Sequence, residues 1–214
     1  MNFRNYGLRL EEVARFLDLQ QRCCSIEGWL HPVEGYLLHM LAAEGPGVGE
    51  IVEIGSYLGR STAFLASGSN SARREKVTAV DHFRGSPEQQ PGQSHESKVL
   101  QDEGTTLPRF LSNLQRLKLA DQVTPVQASS QDAARTWTKP IRLLFIDGDH
   151  AYEASRRDFE LWSPFVVPGG VVCFHDIGSW PGVTQFYHEL IKSTQAFKET
   201  MAVCSVRVVE RIRP

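Results

Sequence analysis

Short β-branched runs alternate with helical patterns along most of this chain, and this alternation limits the possible folds more than any other feature. The runs are residues 50–54, 76–80, 122–127, 141–146 and 170–174. They are apolar with little polar alternation, as expected of strands that are covered on both faces. Helical patterns lie between them, most clearly at 107–117 and 152–162. This order predicts right-handed crossovers and an α/β fold, a mostly parallel sheet with helices on both faces.

The two ends of the chain depart from this alternation. Residues 1–48 read as a helical leader, with an apolar face on a first helix and a second helix over 35–43. Residues 197–202 and 205–211 are two strand-like runs with a brief interruption, so they predict an antiparallel hairpin at the C-terminal edge. With this hairpin the predicted sheet has seven strands.

Residues 82–104 form a polar segment rich in Gly, Pro and Gln. We expect a loop there. A loop of this length in a compact domain is usually functional or disordered. We favour a lid over the substrate, and a disordered insertion is the alternative.

Length and charge exclude several classes of protein. A chain of 214 residues fits a single domain spanning 1–214. Lys and Arg number 23 against 25 Asp and Glu, which leaves no basic excess for nucleic acid. We find no apolar stretch of membrane-spanning length and no apolar signal segment. The 4 cysteines form no C-x-x-C pair, which is typical of reduced thiols in a cytoplasmic protein.

The first strand ends in a glycine turn that is unlike a dinucleotide site. Gly55 and Gly59 allow a tight strand-to-helix turn. A G-x-G-x-x-G fingerprint needs a second glycine where Tyr57 stands, because a pyrophosphate must approach the backbone there. The turn therefore disfavours NAD and FAD, and it fits a nucleoside ligand without phosphates.

Polar residues also end the second and third strands. Asp81 could accept both hydroxyls of a ribose, although a loop acid or a helix cap would look the same. After the third strand, Ser130 and Gln131 suit the edge of an adenine, and they equally suit the start of a helix.

The fourth and fifth strands deliver a cluster of titratable groups. Asp147, Asp149 and His150 follow one strand, and His175 and Asp176 follow the next. Unpaired carboxylates that converge repel one another, and a divalent cation is the usual remedy. A buried Asp–His hydrogen-bond network is the alternative. In a continuing strand His175 and Asp176 would face opposite sides, so both can bind one ion only if the chain has turned.

These motifs together resemble class I S-adenosylmethionine-dependent methyltransferases. The stretches that carry the resemblance are VEIGSYLGRST (52–62), VD (80–81), SQD (130–132), FIDGDHAYE (145–153), PGG (168–170) and FHD (174–176). They look most like the catechol O-methyltransferase type, in its bacterial branch of macrocin O-methyltransferases and cephalosporin hydroxylase-like proteins. The likeness runs from about residue 27 to 186 and implies a Rossmann-like fold.

The resemblance also implies roles for individual residues. The methionine portion of the cofactor would lie against Glu53, Gly55 and Ser56, with Ser61 at its carboxylate and Asp147 also nearby. Asp81 would bind the ribose, and Ser130 with Gln131 the adenine. The metal positions fall on Asp147, His175 and Asp176. Better-known members carry Asp or Glu in place of His175, and an imidazole suits Mn²⁺, Fe²⁺, Ni²⁺ or Zn²⁺ better than Mg²⁺.

The expected activity is methylation of a hydroxyl on a small molecule or sugar, assisted by Mg²⁺ or Mn²⁺. Asp147 and Asp149 are the candidate catalytic carboxylates, with Asp149 as general base and His150 as a second candidate base. Trp29, His31, Trp180 and Tyr187 could flank the substrate. The alternatives are an N-methyltransferase, a hydroxylase-like member of the fold, and a module that binds S-adenosylmethionine without catalysis. The apolar leader could also pack on a second copy as a homodimer.

Overall fold

The computed structural model describes residues 10–213, so the first nine residues of the predicted leader lie outside it. Its helices are α1 (Leu10–Cys23), α2 (Pro32–Glu44), α3 (Arg60–Ser71), α4 (Lys98–Glu103), α5 (Leu107–Arg116), α6 (Ser130–Thr136), α7 (Tyr152–Trp162) and α8 (Pro181–Ser193). Its strands are β1 (Glu50–Ile54), β2 (Val77–Asp81), β3 (Val123–Gln127), β4 (Ile141–Ile146), β5 (Val166–Phe174), β6 (Phe197–Val203) and β7 (Val206–Arg211).

All seven strands form one sheet in the order β3-β2-β1-β4-β5-β7-β6. Strands β1 to β5 pair in parallel, whereas β7 runs antiparallel to β5 and to the edge strand β6. The predicted α/β class and the C-terminal hairpin are thus confirmed. The order reverses between β1 and β4, and ligands of open α/β sheets bind beside such a reversal, at the carboxyl ends of the strands.

Alternation along the strands gives the sheet two apolar faces. In β4, Leu143 and Phe145 pack in a core with the side chains of α1, α2, α3 and α5. Their neighbours Leu144 and Ile146 pack on the other face, with α7 and α8. Because successive side chains of a strand point to opposite faces, both faces need helices to cover them.

Strand β5 begins earlier than the sequence predicted, at Val166 rather than Gly170. Its register against β4 shifts between Ile141 and Leu143, which marks an irregularity in the ladder. Gly169 has a φ of +79° in this stretch. A proline lacks the N–H that a ladder needs, so Pro168 is tolerated within a strand at an interruption of this kind.

Residues 82–104 are only partly a loop, contrary to the sequence prediction. They contain a short 3₁₀ turn at Pro87–Gln89 and the helix α4. Phe83 and Leu100 are buried and anchor the segment. The sequence did not predict them, because two widely spaced apolar residues in a polar segment form no periodic pattern. Whether the segment acts as a lid stays a prediction.

Two further features concern the helices and the cysteines. Among the described helices, none has the length and apolar character needed to cross a membrane. The cysteines are free, with Cys23 and Cys173 buried and Cys204 exposed.

Candidate active site

A cavity of about 830 Å³ lies at the carboxyl ends of β1, β2, β4 and β5. Its wall contains most of the residues that the sequence singled out. They are Gly55, Ser56, Ser61, Asp81, Asp147, Asp149, His150, His175 and Asp176. Ligand sites of proteins usually have volumes of about 300–1,000 Å³, so the cavity is large enough for a nucleoside and a second small molecule.

The glycine turn after β1 depends on close backbone packing. Gly55 has a φ of +84°, and a Cβ there would lie 2.1 Å from the carbonyl oxygen of Asp147. Gly59 has a φ of +93° directly before α3. Only glycine fits at Gly55, and the resulting turn directs Ser56 and Ser61 to the cavity wall.

The carboxylate of Asp81 holds this turn while it faces the cavity. Its Oδ2 accepts hydrogen bonds from the backbone N–H groups of Ser56 (2.8 Å) and Tyr57 (2.9 Å). Its Oδ1 accepts one from Phe83 N at 2.6 Å. A carboxylate can accept about four hydrogen bonds, so one position is left for a ligand hydroxyl.

Glu53 lies under the turn and is completely buried. Its Oε2 accepts hydrogen bonds from the hydroxyls of Ser56 (2.7 Å) and Thr62 (2.5 Å). Its Oε1 has no hydrogen-bond partner among residues 10–213. Burial raises the pKa of Glu53 to about 7, although the neighbouring hydroxyls lower it in part. Glu53 is not among the residues that line the cavity, so its predicted contact with the methionine portion of the cofactor stays a prediction.

Ser130 and Gln131 lie outside the residues that line the cavity. Ser129 caps α6 by accepting a hydrogen bond from Asp132 N at 3.1 Å. The hydroxyl of Ser130 accepts a hydrogen bond from Trp162 Nε1 at 2.9 Å. Their predicted contact with adenine therefore stays a prediction.

Asp147, Asp149, His150, His175 and Asp176, which we call the acidic rim, converge as predicted at the ends of β4 and β5. One atom each of Asp147, His175 and Asp176 lies within 4.8 Å of the others. His175 Nδ1 is 2.9 Å from Asp147 Oδ1 and 3.2 Å from Asp176 Oδ2. Asp176 has a φ of +63°, so the chain has turned and both residues can face one ion. These three side chains fit the donor set of a divalent cation. The same contacts also form the Asp–His hydrogen-bond network predicted as the alternative, so the cation stays a prediction.

The second nitrogen of His175 faces a carboxylate that the sequence did not reveal. His175 Nε2 lies 3.2 Å from Oε2 of Glu34, in the first turn of α2. Burial alone would lower the pKa of His175, but Asp147, Asp176 and Glu34 raise it well above its usual range. Burial would raise the pKa of Glu34, but its contacts, above all with His175, lower that pKa to about 2.

His150 is also held between two carboxylates. Its Nε2 lies 2.9 Å from Asp176 Oδ2, and its Nδ1 lies 2.5 Å from Glu88 Oε1. Burial would lower the pKa of His150, but these contacts with Asp176 and Glu88 outweigh burial and raise it to about 10. Both nitrogens of the imidazole thus face a carboxylate. Asp149 Oδ1 accepts a hydrogen bond from Ala151 N at 2.8 Å, and its role as a base stays a prediction.

Aromatic rings surround the mouth of the cavity. Trp29 lies 5.0 Å from the ring of Tyr57 and 5.6 Å from that of His95. His95 lies 5.1 Å from Trp180, which stacks on His150 at 4.6 Å with nearly parallel planes. Trp29 is half exposed, so this row of rings is open to solvent at one end.

Two of the four residues predicted to flank the substrate lie elsewhere. Trp29 and Trp180 line the cavity as expected. His31 instead caps α2, where its Nδ1 accepts a hydrogen bond from Val33 N at 3.3 Å. Tyr187 is a residue of α8 and is buried in the core.

Glu34 and Glu88 are the functional candidates that sequence reasoning missed. Glu34 completes a capping box at the start of α2, so its sequence signal indicates a cap rather than a contact with the rim. Glu88 lies in the polar segment 82–104 and gives no signal of its own. Both reach the rim only through tertiary packing.

Solved structures share this fold at low sequence identity. The O-methyltransferase NovP is 18% identical, with a TM-score of 0.63 over 94% of this chain and 81% of that one. Cofactor-bound Rv0187 from MTB is 17% identical, with a TM-score of 0.66 over 99% of this chain and 94% of that one. An O-methyltransferase from Bacillus cereus in complex with SAH is 19% identical, with a TM-score of 0.62 over 97% of this chain and 94% of that one.

A family model described as a methyltransferase domain matches residues 52–177, more than half of the chain. The match begins in β1 and ends directly after the acidic rim. It therefore includes the glycine turn, Asp81 and the rim carboxylates. On this match, the chain belongs to the methyltransferase domain family.

Proposed function

We propose that this protein transfers a methyl group from S-adenosylmethionine to a hydroxyl oxygen of a small molecule or sugar. The observation that carries the proposal is one cavity that joins the glycine turn and Asp81 to the acidic rim. Membership of a methyltransferase family supports the reaction class. The O-methyltransferases of the same fold support oxygen as the acceptor atom.

The part of the cavity at the glycine turn and Asp81, which we call the cofactor half, fits the proposed cofactor. Ser56, Ser61 and Asp81 line it, and Asp81 keeps one acceptor position free for a ribose hydroxyl. When bound, S-adenosylmethionine supplies a methyl carbon that its sulfonium makes electrophilic.

The part of the cavity at the acidic rim fits the acceptor molecule and offers a base for its hydroxyl proton. Both nitrogens of His150 face a carboxylate, Nε2 that of Asp176 and Nδ1 that of Glu88, so neither nitrogen is free to accept the hydroxyl proton. Asp149 faces the cavity and is fixed by one hydrogen bond from the backbone. We assign to it the removal of the hydroxyl proton.

The geometry of Asp147, His175 and Asp176 supports a cation at the rim. A divalent cation there would lower the pKa of an acceptor hydroxyl. The mixed nitrogen and oxygen donors favour Mn²⁺ or another transition ion over Mg²⁺.

The cofactor assignment is tested by calorimetric titration with S-adenosylhomocysteine. We expect saturable binding by the wild type, and binding at least about tenfold weaker in Asp81→Asn, because the variant loses both a charged acceptor for the ribose and the carboxylate that holds the glycine turn. Asp121→Asn, an exposed acid outside the cavity, is the matched control and should bind as the wild type does. Absence of binding in the wild type would contradict the proposal.

The role of Asp149 is tested by turnover. Methyl transfer to a panel of catechols, phenols and sugars is followed as S-adenosylhomocysteine released. Asp149→Asn should lower kcat by about 10²-fold or more, the usual contribution of a general base, and leave S-adenosylhomocysteine affinity unchanged. A variant that keeps full turnover would show that another group takes the proton.

A further inference from the structure

Glu34 is a buried carboxylate that joins three separate parts of the chain. It is 2% exposed and lies in the first turn of α2. Its Oε1 accepts hydrogen bonds from the backbone N–H (2.7 Å) and the hydroxyl (2.8 Å) of Ser205, in the turn between β6 and β7. Its Oε2 accepts one from His31 N at 2.9 Å and faces His175 Nε2 at 3.2 Å. With four partners the carboxylate has no freedom to turn.

This arrangement determines which way the His175 ring points. The ring is 5% exposed, and Glu34 holds its Nε2. The other nitrogen, Nδ1, then faces Asp147 at 2.9 Å and Asp176 at 3.2 Å. Because the two nitrogens lie on opposite sides of the imidazole, a partner that holds one also aims the other.

We propose that Glu34 is a positioning residue that holds His175 through Nε2, so that Nδ1 joins Asp147 and Asp176 as the third ligand of a divalent transition cation. The proposal rests on the cation site described under the proposed function and extends it to a residue outside the rim. Partners of this kind orient a metal-ligating histidine and typically change metal affinity by about 10–100-fold.

A purely structural role for Glu34 would rest on the Ser205 contacts instead. Those contacts use Oε1 and tie the β6–β7 turn to α2. The contact with His175 uses Oε2. The two roles therefore separate by atom, and variants can distinguish them.

The experiment is Mn²⁺ binding to the full chain, followed by electron paramagnetic resonance. Spin-echo modulation from ¹⁴N reports whether a histidine nitrogen is bound to the ion. We expect this signal in the wild type. Glu34→Ala should lose it and bind Mn²⁺ about 10–100-fold more weakly. Ser205→Ala keeps Glu34 and its contact with His175, so it should keep both the signal and the affinity. If Glu34→Ala does not fold, Glu34→Gln replaces it, because glutamine preserves the volume of the side chain. This variant should weaken the signal.

Three results would overturn the inference. The first is a wild type that binds no Mn²⁺ or shows no ¹⁴N signal. The second is a folded Glu34→Ala or Glu34→Gln variant that keeps the wild-type signal and affinity. The third is a Ser205→Ala variant that loses as much as Glu34→Ala. Titration with S-adenosylhomocysteine separates this failure from failure of the proposed function, because the cofactor half of the cavity does not involve Glu34.

Discussion

Among single residues, Glu53 combines complete burial with an unpartnered carboxylate oxygen. Burial raises its pKa to about 7. A carboxyl group whose pKa is higher in the folded than in the unfolded protein binds more protons when folded. The free energy of unfolding therefore falls as pH rises from about 4.5, the ordinary pKa, to about 7.

We expect Glu53→Gln to remove this dependence on pH. Between pH 4.5 and 7.5 the stability of the variant relative to the wild type should rise by about 3 kcal/mol, from about 1.4 kcal/mol for each unit of pKa shift. Urea unfolding at several pH values measures the difference. If wild type and variant show parallel stability curves, Glu53 titrates normally.

Residue-level prediction from sequence succeeds where a side chain lies at the carboxyl end of a strand. Asp81, Asp147 and Asp176 could be placed together because the carboxyl ends of parallel strands share one edge of the sheet. Glu34 and Glu88 could not, because they lie on a helix and a loop whose packing on the rim leaves no local pattern. The prediction for Ser130 stays untested, since its hydroxyl contacts Trp162 and it lies outside the residues that line the cavity.

At the scale of elements, the segment 82–104 is the one that could regulate access to the cavity. Glu88 contacts His150 across the mouth, and His95 lies between the rings of Trp29 and Trp180. We propose that the segment is a lid and that this arrangement is its closed position. Ligand would then enter only after both contacts open.

Glu88→Gln should therefore speed ligand exchange. Loss of the charge that pairs with His150 weakens the closed position, so we expect faster association and dissociation of S-adenosylhomocysteine, by about fivefold for a loss of about 1 kcal/mol. Stopped-flow fluorescence of Trp29 and Trp180 would measure both rates. Asp102→Asn, an exposed acid on the same segment, is the control. Equal rates in the wild type and Glu88→Gln would show that the contact between Glu88 and His150 does not control ligand exchange.

Element boundaries followed from sequence where the pattern is continuous. The helix α7 and the strand β4 match their predicted ranges because apolar spacing and flanking turns agree there. Strand β5 and helix α4 did not, because Pro168 and a polar composition suggested loop where tertiary packing imposes a ladder and a buried Leu100. Local propensity yields to packing in both cases.

For the whole molecule, the position of the active site follows from the topology. Five parallel strands end at one edge, and the reversal between β1 and β4 opens a crevice there. Helices cover both faces, so ligands are left with this edge. The cofactor half and the acidic rim are therefore neighbours in space although they are distant in sequence.

Hydrogen exchange of the whole chain with and without S-adenosylhomocysteine tests this account most directly. We expect the ligand to slow amide exchange in residues 53–62, 81–90 and 147–150, which form the cavity wall, and to leave the hairpin 197–211 unchanged. Exchange that stays the same in 53–62 and 81–90, or that slows only in other parts of the sheet, would contradict a cofactor site at this edge.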